Sequence, residues 1–449
     1  MHMLSRRSLL QAGLSTAGLA SLPGPGFTQV VGQAAPFDDY KALVCIFLLG
    51  GNDSFNMLVP RSTPEYNVYA ASRQNLAVAQ ADLLPIAPLN PDGAEYGLHP
   101  SMAAAQSLFD AAQAAFVVNV GPLLEPTTKA QYQSGSAALP SGLFSHNDQQ
   151  DQWHSLKGAT TSSTGWAGRI ADLIRDRVTG QQLALNASLF GNTLFQSGAQ
   201  SVAYTMGPNG PLTFDGFGAM GITLEQRLAF ERIIGADYNS VYERAFADVQ
   251  QRAVATADLV SAAIDSAPPL ATAFPASQLG AQLQTVARLI AVRDQLAMER
   301  QIFFVATGGF DTHDNQLVEQ PDLLGNISDC MAAMHAATVE LNVAPSVTTF
   351  TQSDFGRTLT SNGDGTDHGW GGIQLVTGGA VLGQRLYGSY PLLEIGGQDD
   401  VGGGRMIPTT SADQYAATLA RWFGIEDADM DTIAPNLAGF AERDLGFLV

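Results

Sequence analysis

Three stretches of the chain are apolar almost without interruption, and each stops abruptly at glycine or polar residues. Residues 42–51, ALVCIFLLGG, run into Asn52 and Asp53. Residues 301–313, QIFFVATGGFDTH, end in Asp311 and His313, and residues 346–357, SVTTFTQSDFGR, end in Asp354 and Arg357. Such runs, bounded by turn residues, fit strands buried on both faces, as in a parallel sheet. AAFVVNVG (114–121) reads as a further strand. Between these runs, apolar positions recur every three to four residues in 100–113, 279–300 and 326–342, which predicts amphipathic helices. A last helix begins at Thr410 or Ser411, either of which suits an N-cap. Strands alternating with helices predict an α/β fold, a three-layer αβα sandwich with a mainly parallel central sheet.

Residues 222–266 depart from this rhythm. They read as nearly continuous helix, with Thr223 and Gln226 at capping-box spacing, and SAPPLATAFPAS breaks the pattern after them. This predicts a helical insertion at about 222–275 within one domain spanning 35–449. The turn-rich stretch 201–220 before it has the character of a hairpin.

The N-terminus has a different pattern again. Arg6-Arg7 precede a short Ala/Gly/Leu-rich run and then small residues near Ala34 and Ala35, the layout of a twin-arginine export signal over residues 1–34. The run is too short and glycine-rich for a good membrane span, and no later apolar run approaches the ~18 residues one needs. The expected location is the periplasm or the extracellular space, with no membrane span after signal cleavage. Composition adds one exclusion. Only 14% of residues are charged, and the net charge is -20 with a pI near 4.5, so the surface repels nucleic-acid phosphates. Cys45 and Cys330 both fall in apolar segments and read as buried thiols.

In open α/β sheets, ligands gather outside the carboxyl ends of the strands. The three apolar runs would deliver Asn52, Asp53, Asp311, His313, Asp354 and Arg357 to that edge. The loop NGDGTDHGW adds Asp367, His368 and Trp370. Asp and His together suit zinc or another divalent ion. Each group also has a plainer reading: Asp53 as a helix cap, Asp311 as a turn residue, the DHG loop as a polar surface turn. A second polar stretch, LFSHNDQQDQWHS, holds Ser145 and His146. His146 reads as a metal ligand or substrate contact, or as a loop residue. Ser145 is a candidate nucleophile, although neighbours in sequence rarely form a Ser-His pair. His99 and His335 read as packing residues, and GGGR (402–405) as a loop without the strand-to-helix context of a dinucleotide site. No GxSxG, P-loop or HExxH motif is present.

Taken in order, the twin-arginine start, LLGGNDSFNMLVP, LHPSM, FSHNDQQDQW, TGWAGR, TGGFDTHDNQ, TQSDFGRT and DGTDHGWGG resemble the DUF1501 family from about residue 40 to the C-terminus. That family looks similar to the alkaline phosphatase and sulfatase superfamily. The resemblance implies an alkaline-phosphatase-like fold and a divalent ion (zinc, calcium or magnesium, one or two ions) held by Asp53, Asp311, His313, Asp367 and His368. It also implies hydrolysis of small-molecule or polymer-borne phosphate or sulfate esters, with Ser54 or Ser145 as nucleophile and Arg357 on the anionic group. Asn52, His146, Asp354 and Trp370 would contact the substrate or the ligands. Three departures matter. No histidine follows His368, where two-zinc members have one; neither cysteine lies in a CxPSR-like motif; and the family's usual Glu in SEFGR is Asp354. The alternative is a non-catalytic exported protein that keeps the fold and binds or assembles with a secreted partner.

Overall fold

The structure, a computed structural model, describes residues 35–212, 218 and 220–449. The expected export signal, residues 1–34, and part of the expected hairpin, 213–217 and 219, lie outside the described residues. Of that stretch, Tyr204–Thr205 forms a strand, and Gly207 and Gly210 bridge across a turn.

The main sheet contains β1 (Lys41–Leu48), β2 (Ala114–Gly121), β3 (Asn186–Ser188), β4 (Tyr204–Thr205), β5 (Arg300–Thr307) and β6 (Val347–Ser353). After a small antiparallel pair, β7 (Arg357–Ser361) with β8 (Thr366–His368), the main sheet takes in β9 (Gly372–Gly378), β10 (Leu386–Tyr387) and β11 (Thr410–Ser411). The order is β10-β2-β9-β6-β1-β5-β3-β4, with β11 also on β2. Every pairing in this sheet is parallel except those of β9 with β2 and β6. A parallel return needs a crossover, usually a helix. No helix lies between Ser353 and Gly372, so the chain comes back beside β6 in the opposite sense.

Side chains alternate across the sheet, and both faces of β1 are buried. Val44, Ile46 and Leu48 pack into one core with α1 (Ala103–Asp110), α2 (Gln278–Ala291) and α3 (Gln316–Glu340). Leu43, Cys45 and Phe47 pack into a second core with Trp166–Ile174 and α4 (Ala412–Phe423). This is the three-layer sandwich, and double burial is why β1 is apolar at every position. Cys45 and Cys330 are free and buried. Residues 36–449 form one compact unit, and its irregular part includes paired helices Gly221–Ile234 and Val241–Ser266.

Three local expectations change. The helix expected over 279–300 stops at Ala291; Val292, Leu296 and Met298 remain buried in the turns that follow, which prolongs the apolar signal. The helix at 326–342 starts earlier, at Gln316; the buried polar residues Gln316 and Gln320 hide its first turns from the apolar pattern. Thr223 and Gln226 form no capping box, since the Thr223 hydroxyl donates to the carbonyl of Met220, which is the N-cap. The expected cap at Ser411 does form, reciprocally with Gln414.

One buried acid in the second core sets a pH dependence. Burial pushes the Asp413 carboxyl up to about 7, against hydrogen bonds from Asn436 and the charge of Arg169. Its folded value therefore exceeds the ordinary 3.8. The associated stability is complete below pH ~4 and is lost as pH rises to about 7, a few kcal/mol in all. Asp413→Asn keeps an acceptor for Asn436 and should flatten this slope, as read from denaturation midpoints of both proteins across that range.

Candidate metal centre

The carboxyl ends of β1, β5 and β6 are level, because Leu48 pairs with both Thr307 and Ser353. The loops leaving them touch. Gly50, at φ +115°, lies so close to the next loop that a Cβ would sit 2.3 Å from the Asp311 nitrogen. Only glycine allows both the conformation and the approach.

Three imidazoles converge on Asp311. His146 stands at the start of α-helix His146–Ser155, His313 in the loop after β5 and His368 at the end of β8. Each is anchored through Nδ1 to an outer acceptor: His146 to Asp354 Oδ2 at 2.6 Å, His313 to Asp367 Oδ1 at 3.2 Å and His368 to the Phe144 carbonyl at 2.7 Å. Carboxylates and carbonyls only accept, so the Nδ1 atoms donate outward and the rings turn Nε2 inward. His146 Nε2 is 3.4 Å from Asp311 Oδ2. His313 Nε2 and His368 Nε2 are 3.1 and 3.3 Å from Asp311 Oδ1. The last two nitrogens face each other at 3.0 Å. Two ring nitrogens at that distance can share a proton or a metal ion.

The donor set fits a metal. The ligand atoms of His146, Asp311 and His368 all lie within 4.8 Å of one another. Zinc bonds of ~2.0–2.1 Å in a tetrahedron imply donor separations of about 3.3 Å, and Asp311 lies 3.1–3.4 Å from the three imidazole nitrogens, although His313 falls outside that group of three. Outer acceptors on the remote ring nitrogen are the usual means of fixing a ligating histidine.

Electrostatics prepare the same arrangement. Burial raises the Asp311 carboxyl, but hydrogen bonding and charge from Arg357, with His313 and His146, outweigh it and hold the group below its ordinary value. Burial, aided by His146 and Arg357, lowers His368 despite its bond to Phe144 and the charge of Asp311. Both shifts run in the direction a metal ligand needs, toward a charged carboxylate and a neutral imidazole. Phe355 backs the site, its ring 4.9 Å from His146 and 4.6 Å from His368.

Other expected residues take different places. Arg357 is fully buried and donates to Asp311 Oδ1, the carbonyl of Gly50 and Thr366. It positions Asp311 and has no free fork for a substrate anion, which corrects that expectation. Asp367 and Asp354 stand behind the ligands as the acceptors described above. Asp53 is buried against Arg73, on the helix Thr63–Arg73, and also accepts from Gln316. It is not in the group formed by His146, Asp311 and His368. Asn52 is buried, with its N–H on Ser353. Asn52 Oδ1, Asp53 Oδ1 and Asp354 Oδ1 are buried acceptors without a partner among the described residues, where water or an ion would be held.

Ser54 is buried, and its hydroxyl accepts from the Ile373 N–H, which ties the loop to β9 instead of offering a nucleophile. Trp370 is fully buried and donates to the carbonyl of Pro122; it is a packing residue, not a substrate contact. Ser145 differs. It is the half-buried N-cap residue of His146–Ser155, and its hydroxyl makes no capping bond. Sequence reasoning passed over Phe144, Arg73 and Arg405. Arg405 donates through Nε to the His368 carbonyl at 3.1 Å.

A family model described as "Protein of unknown function (DUF1501)" matches residues 40–430. No curated protein matches the sequence. Among solved structures, the chain is similar to the lipoteichoic acid synthase LtaP from Listeria monocytogenes, at 8% identity and a TM-score of 0.34, covering 87% of this chain and 74% of that one. It is also similar to the PsFucS1 sulfatase from Pseudoalteromonas sp., at 10% identity and a TM-score of 0.36, covering 91% and 72%. A third is the soluble domain of lipooligosaccharide phosphoethanolamine transferase A from Neisseria meningitidis, at 7% identity and a TM-score of 0.31, covering 90% and 95%. Among the described residues, no helix is long and apolar enough to cross a membrane.

Proposed function

The chain belongs to the DUF1501 family, and from that premise we propose an exported, metal-dependent hydrolase of phosphate or sulfate esters. The observation that carries the reading is the convergence of three outward-anchored imidazoles on Asp311. His146, Asp311, His313 and His368 would hold one divalent ion. Their nitrogen-rich set suits zinc better than calcium or magnesium, which prefer oxygen. When bound, the ion supplies Lewis-acid stabilisation of charge on the ester. Arg6-Arg7 support export of the folded protein by the twin-arginine route to the periplasm or beyond.

Ser145 is the proposed nucleophile. Its unengaged hydroxyl lies at a helix N-terminus between Phe144, which anchors His368, and the ligand His146. A helix N-terminus favours negative charge on the attacking and equatorial oxygens. Ser145 Oγ forms the bond to phosphorus or sulfur as the bond to the ester oxygen breaks. The leaving alcohol takes the proton the serine gives up. Water then repeats the exchange, releasing the anion and restoring the hydroxyl.

The test is a panel of aryl phosphate and sulfate esters on the zinc-, calcium- and magnesium-loaded chain. The expected result is turnover of at least one ester, with kcat reduced about a hundredfold or more in Ser145→Ala at unchanged metal affinity. A metal-loaded protein without turnover on any ester would instead support the non-catalytic reading, a secreted binding or assembly protein.

A further inference from the structure

Arg405 is a cation beside the histidine cluster whose hydrogen-bonding capacity the cluster uses only in part. Its Nε donates to the His368 carbonyl at 3.1 Å and its Nη1 to the Gly402 carbonyl at 3.2 Å. No hydrogen bond engages Nη2 among the described residues. The guanidinium lies over the Phe144 ring, 4.9 Å from its centroid, and Phe144 is the residue whose carbonyl anchors His368. Arg405 is therefore attached to both residues that define one ligand, yet it is only half-buried.

The backbone that delivers it is specialised. Gly402, Gly403 and Gly404 all have positive φ, at +133°, +70° and +76°, and a Cβ on Gly404 would sit 2.7 Å from the Leu359 nitrogen. Phe144, under the guanidinium, is itself at φ 71°. A non-glycine residue there is uncommon, and such outliers concentrate at functional sites.

We infer that Arg405 binds the non-ester oxygens of the substrate's phosphoryl or sulfuryl group, an inference that rests on the ester-hydrolase reading. Arg357 is fully buried with its guanidinium engaged, so of the two arginines that touch the ligand residues, Arg405 alone has a donor to offer. A guanidinium presents paired N–H groups that match a tetrahedral oxyanion, and stacking on Phe144 fixes its plane. A chain of net charge -20 needs a local cation to receive such a group.

Calorimetric titration of the zinc-loaded full chain with inorganic phosphate and with sulfate tests this. The expected result is anion binding by the unaltered protein, at least tenfold weaker binding in Arg405→Met, an intermediate loss in Arg405→Lys and zinc affinity within twofold in all three. Equal anion affinity in the unaltered protein and Arg405→Met overturns the inference and leaves the hydrolase reading standing. Loss of zinc from Arg405→Met also overturns it, since the residue would then be structural. Absence of any anion binding by the unaltered zinc-loaded protein overturns the hydrolase reading, and the inference with it.

Discussion

Alanine at Asp311 should weaken divalent-ion binding by roughly a hundredfold or more, because all three imidazoles face that one carboxylate. The same change removes the partner of a fully buried guanidinium, Arg357. An unpaired buried charge costs about 1–3 kcal/mol or more, so the metal-free protein should also lose stability. Asp311→Asn separates the two effects. It keeps an acceptor for Arg357 but gives up the anionic ligand, so stability should largely return while affinity does not. Asp367→Ala removes only the outer anchor of His313 and should cost about tenfold. Metal-competition titrations on the three variants, with denaturation of the metal-free forms, provide the readouts.

Arg73→Met should be the most destabilising single change. Arg73 and Asp53 form an ion pair with side-chain exposures of 0% and 1%. Removing one partner strands the other charge in the core, at about 3–5 kcal/mol. The double variant Arg73→Met/Asp53→Leu should recover much of that loss, because both buried charges disappear together. Metal affinity discriminates between roles for Asp53. If Arg73 alone fixes its purpose, Asp53→Asn leaves zinc binding at the histidine cluster within a few-fold of the original. A hundredfold loss would mean that Asp53 is a ligand despite its arginine.

This pair illustrates where the sequence ran out. β1, β5 and β6 were legible because strands buried on both faces show as unbroken apolar runs, and their polar ends marked Asp311, His313 and Asp354. Nothing local in GGND indicated that Asp53 would meet Arg73, which lies twenty residues on in another element. His146 was visible as a candidate, but not the helix that carries it. In HNDQQDQWHS, the buried Gln149 and Gln152 replace the apolar stripe that would have revealed the period. The burial of Arg357 and Trp370 was not legible for a related reason: burial decides whether such a side chain faces a ligand or the core, and residue type alone does not. Arg405 lay in a segment that showed only loop composition. Its position depends on three left-handed glycines, and glycine content does not specify where a turn leads.

His146, Asp311, His313 and His368 are proposed to form a metal centre. This is tested most directly by elemental mass spectrometry of the full chain, loaded with zinc and dialysed, beside His368→Ala treated in the same way. One ion per chain is expected in the unaltered protein and none retained in the variant, with both folded. An unaltered protein that retains no ion, or a variant that retains as much, would contradict it.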